Sequence, residues 1–187
     1  MRQAARVALG LLVAALAVPA LQATTTVERS ESDLIQEAEI IVVGRVAEVR
    51  SLWVDNDLVT VATVSVSETL KGAPESQVTV VVPGGIDLNR KIPVAMTFPA
   101  APELMKQENV LLFLTAEGRV VGGYSVVGFS QGKFTVVENA QGEKVATQNL
   151  SDLTLQGSGG TRRGGAKAIS LIQLRQKVQN LAVEKPR

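Results

Sequence analysis

Alternation of apolar and polar residues is the plainest pattern in the chain. Between Leu58 and Leu70, Leu58, Ala62, Val64, Val66 and Leu70 fall on one parity, and Thr63, Ser65, Ser67 and Thr69 on the other. This is the period-two pattern of a strand with one face in a core and one in water. The stretch before it differs: Ile40 to Val43 is apolar on both faces, Gly44 interrupts, and Val46, Val49 and Leu52 then alternate unevenly with Arg45, Glu48 and Arg50. A strand doubly buried before a glycine and unevenly exposed after it predicts one long bent strand that serves two sheets through a bulge, as a barrel requires. Asp55-Asn56-Asp57 supplies the turn between the two strands.

Lys71-Gly72-Ala73-Pro74 ends the second strand, and Gln77 to Val82 predicts a third with Val78, Val80 and Val82 inward, stopped by Pro83-Gly84-Gly85. From Ile86 to Lys106 the pattern lapses. Pro93, Pro99 and Pro102 predict a long loop of functional character, with one short strand around Ile92 to Met96. Asn109 to Thr115 reads as a buried strand and Arg119 to Val127 as another, followed by a hairpin of Lys133 to Glu138 and Glu143 to Thr147. Ser30-Glu31-Ser32-Asp33 offers N-cap residues for a short entry helix.

Gln156 to Lys167, with five glycines and two arginines in twelve residues, predicts a flexible linker. Beyond it Ser170-Leu171-Ile172-Gln173 has the form of a capping box, with Ile169 and Leu174 as its staple. The stripe Leu171, Leu174, Val178 and Leu181 makes the helix amphipathic. Burying such side chains stabilises by ~1.5–3 kcal/mol each, so the helix is expected to dock on the barrel or on a partner. The chain therefore divides into residues 24–155, a mainly β unit forming a closed or partly open β-barrel, a linker over 156–168, and a docked helix over 169–183. A β-sandwich is the alternative architecture.

The first residues change the picture of where the chain works. Arg2 and Arg6 precede an apolar run from Val7 to Val18 and then Pro19-Ala20-Leu21-Gln22-Ala23, whose small residues Ala20 and Ala23 suit cleavage, the order of a secretory signal peptide over residues 1–23. Cleavage is expected between Ala20 and Thr24, with export to the periplasm or outside the cell. The apolar run is shorter than the ~20 residues a membrane span needs, so no span is expected.

Removing two arginines turns 19 basic and 18 acidic residues into 17 and 18, a net charge of −1. That balance, with one Trp, one Tyr and four Phe, argues against nucleic acid as a partner. The remaining 164 residues (187 − 23) suffice for one domain without disulfides.

The chain has no histidine and no cysteine, which removes the usual ligands of zinc, haem and iron-sulfur clusters and the usual general base. No metal, cofactor or catalytic residue is assigned. Gly128-Phe129-Ser130-Gln131-Gly132 matches the G-x-S-x-G elbow, but the elbow needs a helix behind it and a histidine, whereas Lys133 to Val137 reads as strand. Asp55-Asn56-Asp57 lacks the glycine and distal glutamate of a calcium loop. Exposed aromatics with polar handles anchor interfaces. Trp53 and Tyr124, with Asn56 and Asp57 at the neighbouring turn, are therefore the candidate interaction surface, core placement being the alternative for the two rings.

Ala38-Glu39-Ile40-Ile41-Val42-Val43-Gly44-Arg45-Val46, Val64 and Val66 before Glu68-Thr69-Leu70-Lys71-Gly72, and Val78-Thr79-Val80 carry a resemblance. This order resembles the start of a netrin-like or tissue-inhibitor-of-metalloproteinases-like OB domain, in an exported bacterial form without cysteines. The match covers Ser32 to Val82, and Glu108 to Leu114 more loosely. It implies an OB-like barrel. The inhibitors use an N-terminal cysteine to reach the target's zinc, and this chain has none, so no inhibitor residue maps onto a position here. The expected function is an exported, non-catalytic binding module for a protein or glycan, acting as a monomer. The alternative is a regulator or inhibitor of an exported protease that works without zinc chelation.

Overall fold

A computed structural model describes residues 24–183. The predicted signal peptide and its cleavage point lie outside them. Five strands form a ring. β2 (Ile40–Val54) and β3 (Asp57–Lys71) pair antiparallel along nearly their full length, and β3 pairs with β4 (Gln77–Pro83). On its other edge β2 pairs with β7 (Asn109–Ala116). β8 (Gly123–Val126) closes the ring, parallel to β4 and antiparallel to β7. This mainly β ring, with a helix near each end of the described chain, fits the expected mainly β architecture, a barrel or its sandwich alternative.

The bend falls where Gly44 predicts it. The β2–β3 register shifts between Ile41 and Val42, between Val43 and Gly44, and between Val46 and Glu48. A Cβ on Gly44 would lie 2.4 Å from the Ser65 carbonyl oxygen, so the two backbones meet at a distance that only glycine permits.

β7 is where the sheet forks. Val110 to Leu112 pair with β9 (Lys133–Glu138), while Leu114 to Ala116 pair with β8. From β9 the sheet continues outside the ring through β10 (Lys144–Asn149) to β13 (Ala166–Ser170). The fork explains why Ile40 to Val43 and Val110 to Leu114 are apolar on both faces. Ile40, Val42, Val46, Val110, Leu112 and Leu114 point into the ring with Val64, Val78 and Val80. Ile41, Val43, Leu111 and Phe113 point outward into a second core, under helices α1 (Glu31–Glu37) and α2 (Leu171–Val183). The stripe residues Leu171, Leu174 and Val178 are buried there, and Arg175 reaches Glu68 of β3 at 2.5 Å. Val66, expected in the core, is only partly buried, whereas Val59 and Val61 on the opposite parity pack with Val81 in a small third cluster.

The Lys71-Gly72 pair has a structural role. Ser30 and Asp33 cap the start of α1 reciprocally, and the Lys71 ammonium donates to the carbonyls of Ile35 and Ala38, at 2.6 and 2.5 Å, where the helix ends. A cation there meets both the free carbonyls and the negative end of the helix dipole. Gly72 has φ 78°, and a Cβ would lie 2.6 Å from Ile40 Cγ2.

The segment 156–168 is not a linker. β11 (Leu153–Gly157) and β12 (Gly160–Arg163) form a hairpin that joins β1 (Thr24–Val27) in a three-stranded sheet, and β13 begins at Ala166. The glycines serve packing as well as turns, since a Cβ on Gly164 would stand 2.1 Å from the Leu150 carbonyl oxygen. Among the described residues no helix is long and apolar enough to cross a membrane.

Candidate functional site

The loop from Ile86 to Lys106 contains a short hairpin, β5 (Gly85–Asp87) against β6 (Val94–Met96). Trp53 braces it. Its indole N–H donates to Asp87 Oδ2 at 2.7 Å, and the Arg90 guanidinium lies 4.3 Å from the ring centroid while also pairing with Asp87. Those contacts hold the Asp87 carboxyl below its ordinary pKa, the Trp53 hydrogen bond foremost, then the Asn89 N–H and Arg90. Trp53 is therefore partly buried and engaged within the chain. Leu88 and Ile92, at the hairpin's tip, are 72% and 76% exposed.

A groove of about 530 Å³ opens beside the loop. Its origin is topological: β4 and β8 pair only at Thr79–Gly123 and Val80–Tyr124, and then diverge. Val81 to Pro83 form one wall, Ser125 to Val127 the other, with Phe98 and Phe129 at the apolar end and Glu117 and Arg119 at the polar end.

Phe129 is the anomalous residue. It has φ 57° yet is not glycine, follows Gly128 at φ 65°, and is 47% exposed where it lines the groove. A bulky side chain in the left-handed region costs of order 1–3 kcal/mol and persists only where its surroundings over-determine it. They do so here. The Ser130 N–H and hydroxyl both donate to the Ala100 carbonyl, at 2.9 and 2.6 Å. The Gln148 amide donates to the carbonyls of Ser130, Gln131 and Lys133. Buried Gln131 binds the Arg29 N–H and the Val27 carbonyl. The turn that presents Phe129 is thus clamped from β1, from β10 and from the long loop.

At the polar end Arg119 bonds Glu117, which also accepts from the Ser125 hydroxyl. The Glu117 pKa falls to about 2, chiefly through Arg119. Asp57 lies 3.9 Å from Arg119. None of the four residues expected at an interaction surface lines the groove, and Asp57 meets it only through Arg119. Asn56 is exposed at the β2–β3 turn, and Tyr124 is partly buried against the ring's core.

The G-x-S-x-G match has no elbow geometry. A 3-10 turn, Phe129–Gly132, leads directly into β9. The Lys133 ammonium is held by Glu108 at 2.5 Å and by Thr135. Sequence reasoning missed Phe98, Phe129, Glu117 and Arg119. The one signal within reach was an aromatic directly after a glycine inside that motif. No protein-family model and no curated protein matches this chain.

Proposed function

We propose that the chain is an exported, non-catalytic binding module whose site is the groove between the Ile86–Lys106 loop and the turn at Phe129. The observation that carries this reading is Phe129, a strained and half-exposed aromatic clamped by three parts of the fold. Strain kept at an exposed position is a mark of function, since a glycine there would relieve it. Exposed aromatics such as Phe98 and Phe129 are the usual anchors of an interface.

The test is capture from the exported fraction with a photo-crosslinking residue in place of Phe98. The expected result is a defined adduct that is lost when Phe129 is replaced by glycine. Equal capture by that variant would refute the reading. A second reading, regulation of an exported protease by loop insertion, draws on the exposed Leu88 and Ile92 at the tip of the β5–β6 hairpin and on the inhibitor resemblance. It predicts that the crosslinked partner is a protease.

A further inference from the structure

Backbone direction along the groove's two walls says more about the occupant. Hydrogen bonds from Gly84 N–H to the Leu58 carbonyl and from Val66 N–H to the Ser76 carbonyl set the alternation of the β3–β4 ladder. By it Val78, Val80 and Val82 address β3, while Thr79, Val81 and Pro83 address β8 and the groove. On the other wall, Glu117 N–H to the Gly123 carbonyl and Val127 N–H to the Phe113 carbonyl set the β7–β8 ladder. Gly123, Ser125 and Val127 address β7, while Tyr124 addresses β4 and Val126 the groove.

Because β4–β8 pairing ends at Val80 and Tyr124, the N–H and C=O of Val126 face the groove beyond the last paired residues. Across from them stand the Val81 carbonyl and Pro83. Proline has no N–H, so β4 cannot continue the ladder as a donor there. The groove is an opening in the ring's wall with a strand edge on each side. Its charged lining residues carry one negative charge in excess: Glu37 and Glu117 are acidic and Arg119 is basic, with Arg29 paired to Glu37 and Asp57 3.9 Å from Arg119.

From these features we propose, resting on the binding reading above, that the groove takes an extended polypeptide segment as an added strand on β8. The Val126 N–H and C=O pair with the segment's backbone, an apolar side chain of the segment sits between Phe98 and Phe129, and a lysine or arginine follows toward Glu117. Addition of a strand to an open edge uses main-chain hydrogen bonds for affinity and side-chain pockets for choice. The negative rim selects the basic residue and disfavours acidic glycans.

The experiment uses the full exported chain and labelled ten-residue peptides of alternating valine and threonine with a central phenylalanine. One set ends in two lysines, one in two glutamates, and a third repeats the lysine set with alternate backbone nitrogens methylated. Binding is read by fluorescence anisotropy, and exchange of the Val126 amide by NMR. The lysine set is expected to bind and to slow exchange at Val126 by about tenfold. Methylation is expected to weaken binding by about tenfold, the loss of one or two backbone hydrogen bonds. The glutamate set is expected to bind about fivefold more weakly at low salt.

Failure of every peptide to bind, indifference to methylation, or binding without protection of Val126 would each overturn the proposal. So would shifts at Val126 produced by neutral oligosaccharides or by lipid vesicles while peptides produce none. If the crosslinked partner depends on Phe129 but the peptides behave in any of these ways, the binding reading stands and the strand-addition proposal falls.

Discussion

Replacing Phe129 with glycine separates binding from folding, and the structure sets the expected size of each effect. The residue sits at φ 57° and is 47% exposed. Glycine relieves a left-handed penalty of ~1–2 kcal/mol and gives back ~0.5–1 kcal/mol in backbone entropy. Full burial of a phenylalanine stabilises by up to ~3 kcal/mol, so a ring about half buried contributes ~1.5 kcal/mol. These contributions nearly cancel, and the variant should lie within ~1 kcal/mol of the parent in urea melts, a shift of no more than ~4 °C in Tm for a chain of this size.

Phe134→Ala is the control. Phe134 is fully buried and its ring packs 6.0 Å from that of Phe113, so its loss should cost ~3–5 kcal/mol. Capture of the partner should vanish with Phe129→Gly while the melt is preserved. A cost above ~2 kcal/mol for Phe129→Gly would show that the ring is a structural plug, and the inference from strain to binding would collapse.

Three further outcomes follow from the geometry. Lys71→Met, which strips the carbonyls of Ile35 and Ala38 of their donor, should cost ~1–3 kcal/mol in denaturant melts. Glu117, with its pKa lowered to about 2 from 4.5, contributes stability that is complete above pH 4.5 and is lost as pH falls toward 2. Glu117→Gln should accordingly flatten the stability-against-pH curve across that window, and carboxyl NMR should place the titration near 2. Truncation after Gly157 removes β12, β13 and α2, and with them Ile169, Leu171, Leu174 and Val178 from the outer core. At ~2–5 kcal/mol per large apolar side chain this exceeds the margin of an ordinary domain, so the fragment should show no cooperative melt, whereas a linker at 156–168 would have left a folded barrel.

Strand content, the β2–β3 hairpin, the bend at Gly44, the α1 cap at Ser30 and the buried stripe of α2 were all legible along the chain. Each depends on residues a few positions apart: a period of two, a period near 3.6, a turn residue, a side chain that caps its own helix. The inward parity of Val64 and Val80 was legible for the same reason. Where both parities are apolar, as in Ile40 to Val43, periodicity says only that both faces are covered. Which core each face joins was decided by the fork at β7, which depends on strands far apart in sequence.

Gly157 to Gly165 was misread because composition reports flexibility and close approach alike. The distinction lies in what stands opposite, such as the Leu150 carbonyl against Gly164. The groove was illegible for a deeper reason. It exists because β4 and β8 diverge after Val80 and Tyr124 and because Ala100, Gln148 and Gln131 together hold Phe129 in a backbone conformation its own residue type disfavours. Local propensity argues against that conformation, and only contacts across the assembled fold can impose it.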